Sequence, residues 1–228
     1  MQNAISIVIP VYHEIKIIRK VIEHVKMRFS GAIYEIIVVD GDKQGSTINS
    51  INDPSVICLI SKKGRSNQMN LGAAKAKYNI LFFIHADSLL PKKSFQLITK
   101  TLTQSDIKAG AFDLSISTQN IFLKFIEKMA SIRSRITKIP YGDQGLFIQK
   151  KIFNEIGGFS NIPIMEDIDI MLKLKKRKYK ILILNKPIIT SDRRWETQGV
   201  LYCSFRNIIL SSLFYLGTDP NKLVNYYD

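Results

Sequence analysis

The chain has 228 residues, 46% of them hydrophobic, and 33 lysines and arginines against 19 aspartates and glutamates give a formal net charge of +14. The apolar content excludes a disordered chain and suits one core-forming domain. Two cysteines, Cys58 and Cys203, exclude a disulfide framework and a four-cysteine zinc site, while the charge leaves nucleic acid, anionic membrane and phosphorylated small molecules open as partners.

Residues 1–3 carry no positive charge, and Ile5–Val11 is broken by Ser6 and Pro10. That run reads as a first strand rather than a secretory leader. Helical periodicity follows over Glu14–Arg28, then the apolar run Glu35–Val39 and a polar Gly/Asp/Ser segment. Val56–Ile60 is the third run, with Cys58 expected as a small buried hydrophobe. A helix is predicted over Arg65–Ala76, a fourth strand over Ile80–Ile84 and a helix after Pro91. Short apolar runs without polar alternation indicate strands covered on both faces, and their alternation with helices indicates a parallel sheet. The second half is predicted as strand Gly110–Ile116, basic helix Ile121–Ile136, strand Gly145–Ile148, helix Glu166–Leu174, strand Ile181–Leu184 and apolar helix Val200–Leu216.

No stretch reaches the roughly 20 uninterrupted apolar residues of a spanning helix. The expectation is a cytoplasmic protein with both thiols free. Val200–Leu216 has two readings, a helix buried on the domain or an interfacial helix on the inner face of the cell membrane. The basic stretches Lys173–Lys180 and Arg133–Lys138 would support the second, since anionic lipid attracts nearby basic residues.

Asp40 follows the second strand directly, and Asp87 lies three residues beyond Ile84. In an open parallel sheet ligands bind outside the carboxyl ends of the strands. Each aspartate alone reads equally well as a turn residue; the two on one edge favour a site. The turn after the first strand has no glycine, and Gly64-Arg65-Ser66 is not followed by the Gly-Lys-Ser/Thr of a P-loop. Dinucleotide and P-loop sites are therefore disfavoured.

The opening Ser6-Ile7-Val8-Ile9-Pro10-Val11-Tyr12-His13-Glu14 resembles the start of family 2 glycosyltransferases of the GT-A fold. The segment from Glu35 to Thr47 is similar to that family's V-D-G/D-G-S-x-D-x-T element, and Lys63–Ala73 to its third motif. His85-Ala86-Asp87 stands where the D-x-D motif belongs, Gly157-Gly158-Phe159 with Glu166-Asp167 resembles the acceptor-side signature, and Asp192-Arg193-Arg194-Trp195 matches an R-W element. The His-Ala-Asp, Gly142-Asp143-Gln144 and Arg-Arg-Trp forms are similar to a compact bacterial subgroup.

The resemblance implies an α/β GT-A fold: a Rossmann-like, mostly parallel central sheet flanked by helices, with C-terminal helices. It implies one glycosyltransferase domain over 1–228, with a nucleotide-binding half to about 90, an acceptor-side half over about 91–198 and a C-terminal helical segment over about 199–228. The implied donor is a UDP- or GDP-sugar. Asp40 would contact the nucleobase, with Pro10, Tyr12 and Glu14 lining the same pocket and Arg65 and His85 near the phosphates. Asp87 would hold Mn²⁺ or Mg²⁺ against the diphosphate, an ion type that takes one or two carboxylates plus phosphates. Gln144, Arg193, Arg194 and Trp195 would face acceptor or diphosphate.

Placed on a helix at 100° per residue, Asp167 falls on the apolar side with Ile170, Met171 and Leu174, and Glu166 near the polar side. A carboxylate on a buried face is either an N-terminal cap or a general base. The resemblance favours Asp167 as the base of a single inverting displacement, with Glu166 in support. The acceptor is a hydroxyl of unknown identity; a lipid-linked acceptor and peripheral membrane contact stay open, and no nucleic acid is expected. Two rival readings are a nucleotide-sugar-binding protein without transfer, suggested by His85, and a nucleotidyltransferase, which would want a glycine-rich basic loop after the first strand.

Overall fold

The computed structural model describes residues 3–103 and 106–227. Among these, the strands are β1 (Ala4–Val11), β2 (Ile33–Asp40), β3 (Val56–Ile60), β4 (Ile80–Phe83), β5 (Ile107–Ser117), β6 (Leu146–Gln149) and β7 (Lys180–Ser191). They form one sheet in the order β3-β2-β1-β4-β6-β5-β7. The first four are mutually parallel, β6 is antiparallel to both neighbours, and β7 is parallel to β5. The helices are α1 (Ile18–Arg28), α2 (Arg65–Lys75), α3 (Ser94–Thr103), α4 (Ile121–Thr137), α5 (Lys150–Glu155), α6 (Glu166–Lys176), α7 (Arg193–Gln198), α8 (Val200–Tyr215) and α9 (Pro220–Leu223).

Side chains of a strand alternate between sheet faces. Val8, Ile37 and Val39 join α2, α5 and α6 in one core, while Ile7, Ile9, Ile36 and Val38 join α1 and α3 in the other. Both faces are covered, which is why these strands read as unbroken apolar runs. The strand β3 departs from this. It is an edge strand, and α2 packs on β1 and β2 instead of over it. Cys58, expected buried, is therefore exposed, as are Ile57 and Ile60.

The strand β7 outruns its expected end at Leu184 by seven residues. Its register against β5 shifts between Phe112 and Asp113, which absorbs Asn185 and Lys186 and lets pairing resume at Pro187 and continue to Ser191. The extension is also paired on its other side through the Leu89–Ile189 bridge. A polar-proline interruption hid it in the sequence, because proline normally marks a strand's limit.

Two polar clamps fix the sheet. Glu35 is buried; its Oε1 accepts from Ser6 Oγ at 2.6 Å and from the Lys77 backbone N–H at 2.7 Å, tying β1 and β2 to the turn before β4. At the opposite edge the Gln68 side-chain amide donates to the Val11 and Val39 carbonyls at 2.7 and 2.8 Å. Gly72 lets α2 lie this close to the sheet: a Cβ there would stand 2.4 Å from Val8 Cγ1. Gly72→Ala is expected to cost about 1–3 kcal/mol through overpacking. A denaturant midpoint that falls at unchanged m-value checks this.

Candidate active site

The carboxyl ends of β1, β2 and β4 open on one edge. Asp40 ends β2 fully buried, and its carboxylate accepts three backbone N–H groups, from Asp42, Thr47 and Ile48 at 2.9, 2.8 and 3.3 Å. Its demonstrable work is the turn-residue reading, folding the 41–48 loop. Pro10 is buried within β1 opposite Val39. Tyr12 and Glu14 reach the surface beyond it. The Lys63 ammonium stands 4.3 Å over the Tyr12 ring, and Glu14 accepts from Arg193 Nη2 at 2.9 Å and Nη1 at 3.3 Å.

That ion pair joins the first strand's loop to the start of α7 and borders Asp87. Burial raises the Asp87 carboxyl above its ordinary value, with the Arg193 charge opposing and the Glu14 charge adding to the rise. Thr190, carried up by the extended β7, makes a long 3.4 Å contact to Asp87 Oδ2. Arg193 is thus brought to the site. The side chain of Arg194 lies outside the described residues. Trp195 is half-buried in α7, its indole N–H buried without an acceptor among the described residues.

The second carboxylate group sits at the start of α6. Asp167 Oδ2 accepts from the Gly142 N–H at 2.7 Å and Oδ1 from the Ile168 N–H at 2.8 Å. Gly142 lies against the His85 ring so closely that a Cβ would be 2.9 Å from Nε2 and 3.5 Å from Asp167 Oδ2. One pocket is lined by His85, Gly142, Glu166 and Asp167, with Phe83 and Phe159 beneath. His85, from the end of β4, thus meets the α6 carboxylates across Gly142.

Helix α6 buries Ile168, Ile170, Met171 and Leu174 as expected, but at its first turn the two acids exchange places in depth. Glu166 is buried, 3% exposed, whereas Asp167 is only partly covered. A helical wheel assumes one covered side, but at the first turn cover comes from neighbouring segments. Here Arg65 supplies it, its Nη1 3.6 Å from Glu166 Oε1. Arg65 is itself 45% exposed, so it spans from the buried carboxylate to the open cleft. Burial raises the Glu166 carboxyl, the Asp167 charge adds to the rise, and Arg65 opposes it.

Gln144 does not face the cleft. It is fully buried, donating to Phe112 O at 3.0 Å and Ser134 Oγ at 3.1 Å and accepting from the Tyr141 N–H at 3.1 Å. The short 3₁₀ turn Gly142–Gln144 sends it inward as an anchor. Its neighbour Asp143 is the residue of this turn that meets the other acids. Burial, then the Asp167 charge, pushes Asp143 up to about 6, with Arg133 and Arg65 opposing and Asp87 reinforcing the rise. Its Oδ1 is buried without a hydrogen-bond partner among the described residues. The Gly142-Asp143-Gln144 triplet is the sequence signal for this turn, but nothing in it tells which polar side chain turns inward.

The motif between Lys63 and Ala73 holds these parts together. Besides Gln68, Asn70 clamps Phe159, donating to its carbonyl at 2.8 Å and accepting its N–H at 3.0 Å. Gly158 passes under that clamp at φ +63°, where a Cβ would lie 2.8 Å from Asn70 Oδ1.

Residues 6–162 match the family model for glycosyl transferase family 2, and the chain belongs to that family. It is a glycosyltransferase. Among solved structures it is similar to the mannosyltransferase PcManGT from Pyrobaculum calidifontis, solved in complex with GDP-Man and Mn²⁺. The TM-score is 0.69 at 14% identity, covering 97% of this chain and 67% of that one. The shared fold is GT-A. No curated protein matches the chain in sequence.

The raised Asp143 carboxyl has a consequence for stability. Between about pH 4 and 6 the native chain holds a proton that the unfolded chain has released, so ionising Asp143 weakens the fold as pH rises. Asp143→Asn is expected to raise Tm by about 2–4 °C at pH 8 and to leave it unchanged near pH 3.5. Thermal melts of both chains in metal-free buffer across that range check it.

Proposed function

We propose that this chain transfers a sugar from a UDP- or GDP-sugar to an acceptor hydroxyl, with inversion, in one displacement. The observation that carries the reading is Asp167. Its carboxylate is oriented by the Gly142 and Ile168 N–H groups in a pocket shared with His85, and it interacts with the same Asp143 that senses Asp87. A base held beside the donor-side acid is what a direct displacement requires.

Residues to about 90 form the donor half and those over about 91–198 the acceptor half, with Leu210 and Leu223 of the segment from about 199 packed against Ile164. Tyr12 and the Asp40-shaped loop border the nucleoside. Arg65, at the first turn of α2, and Arg193, beside Asp87, offer guanidinium groups suited to a diphosphate. His85 borders the same space and would donate to phosphate.

A divalent ion fits the residues present in one way. Among the described residues no three His, Cys, Asp or Glu side chains form a cage. Mn²⁺ or Mg²⁺ bound through one or two carboxylates together with diphosphate oxygens needs no cage. Asp87 would hold it, and the unpartnered Oδ1 of Asp143, a carboxyl that feels the Asp87 charge, is a further oxygen of the right chemistry. When bound, the ion supplies positive charge to the leaving diphosphate. Asp167 takes the proton from the acceptor hydroxyl as its oxygen attacks the anomeric carbon; the bond to the diphosphate breaks on the opposite face. Glu166 keeps Arg65 in place.

Nucleotide protection against heat tests the donor half. UDP or GDP with Mn²⁺ is expected to raise Tm, and Asp87→Asn to remove the metal-dependent part of that rise. Asp167→Asn is expected to lower kcat by about 10²–10⁴ while the nucleotide-induced shift stays within error. Full turnover by Asp167→Asn would overturn the assignment of the base. Transfer absent from the unaltered chain, with nucleotide-sugar binding intact, would favour a binding protein instead.

A further inference from the structure

Helix α4 turns its apolar side away from the protein. At 100° per residue, Ile121, Phe122, Phe125, Met129, Ile132 and Ile136 fall within an arc of about 100°, and all six are exposed. The residues that α4 buries, Leu123 and Ser134, lie on the opposite side. An ordinary surface helix has the reverse arrangement, with its apolar stripe facing the core.

Helix α8, in contact with α4, repeats the pattern. It buries Cys203, Arg206, Leu210 and Ser211 and exposes Leu201, Tyr202, Phe205, Ile208 and Ile209. Of the two readings of this segment, each describes one face. Phe122 is 70% exposed and Phe205 64%, so these side chains are displayed to solvent rather than grazing it. Two adjacent stripes of this size exceed the scattered apolar residues normal on a soluble surface.

Charge identifies what covers them. Lys124, Lys128 and Arg135 line one margin of the α4 stripe, all three side chains exposed, with Lys124 also pairing with Glu127 and Arg135 with Asp113. A second copy docked face to face would set these cations against their equivalents, in chains each carrying a formal +14, and like-charge juxtaposition opposes association. An anionic lipid surface meets both demands, with an apolar boundary for the stripes and phosphate for the lysines. No helix of the described residues is long and apolar enough to cross a membrane, so the helices would lie in the surface.

The same face adjoins the site. Arg133 of α4 stands 3.5 Å over the ring of Tyr141, and the next residue, Gly142, donates its N–H to Asp167 Oδ2 at 2.7 Å. We infer that α4 and α8 form a two-helix platform that seats the chain on an anionic bilayer, with the Asp167 side of the cleft next to the lipid surface. The inference goes beyond the transfer reading and does not depend on it.

Vesicle co-sedimentation of the full chain tests the platform. Binding is expected to vesicles of phosphatidylcholine with phosphatidylglycerol, at least tenfold weaker to phosphatidylcholine alone, and to fall with salt. Phe122→Ser with Phe125→Ser, and separately Phe205→Ser with Ile209→Ser, are expected to reduce binding at least tenfold at unchanged Tm, because these side chains pack against little in the protein. Lys128→Glu is expected to weaken binding to anionic vesicles only, and Met27→Ser, on the exposed side of α1, to change nothing. Unchanged binding in both double variants would overturn the proposal. So would a chain that ignores anionic vesicles and sediments as a dimer that the double variants make monomeric. Nucleotide-induced thermal shifts in the same variants report the donor half separately, so a failed platform leaves that reading intact.

Discussion

Where parallel strands end, the ladder runs out of donors, and each buried carbonyl left without one costs free energy. At the end of β1 and β2 this constraint is met by one side chain, the Gln68 amide reaching Val11 and Val39. The Gly41 N–H adds a second donor to Val11 at 2.9 Å. Because Gln68 belongs to α2, the same contact sets where that helix begins. Arg65 then stands one turn earlier, at the cleft. The placement of a cation beside Glu166 thus follows from satisfying two carbonyls.

The cleft concentrates buried or half-buried acids that repel one another. Asp87, Asp143 and Glu166 are all raised, with burial as the first cause. Proteins seldom bury carboxylates without partners, and the partners here are few: Arg65, Arg133 and Arg193 oppose the rises. Such a site destabilises its own fold and gains from any ligand that brings positive charge. Strongly perturbed groups gathered in a cleft are also what functional sites share.

Much of the architecture was legible in the sequence for one reason. Strands covered on both faces leave unbroken apolar runs, so β1, β2 and β4 were readable, and even β3 had its bounds correctly placed. What neighbours do to a strand was not readable: the exposure of Cys58 depends on α2 packing elsewhere, and the length of β7 on a register shift opposite Pro187. In the site, Asp40 and Asp87 could be set on one edge from their spacing after strands, and the parallel pairing puts them there. The order of Glu166 and Asp167 in depth could not be found, because a wheel holds no information about Arg65. Nor could a wheel tell Asp143 from Gln144 on a 3₁₀ turn. Helix α4 shows the opposite limit, since its bounds were legible to within a residue but the side that faces out was not.

The Asn70 clamp on Phe159 carries a consequence for recombining such chains. One amide engages both backbone groups of a residue 89 positions away, and Gly158 is the residue that lets the loop pass beneath it. A chimaera joined anywhere between α2 and the Gly157-Gly158-Phe159 turn inherits one half of this lock from each parent. Grafts of a new second half onto this first half will therefore keep their register only when asparagine and the paired glycine travel as a matched set.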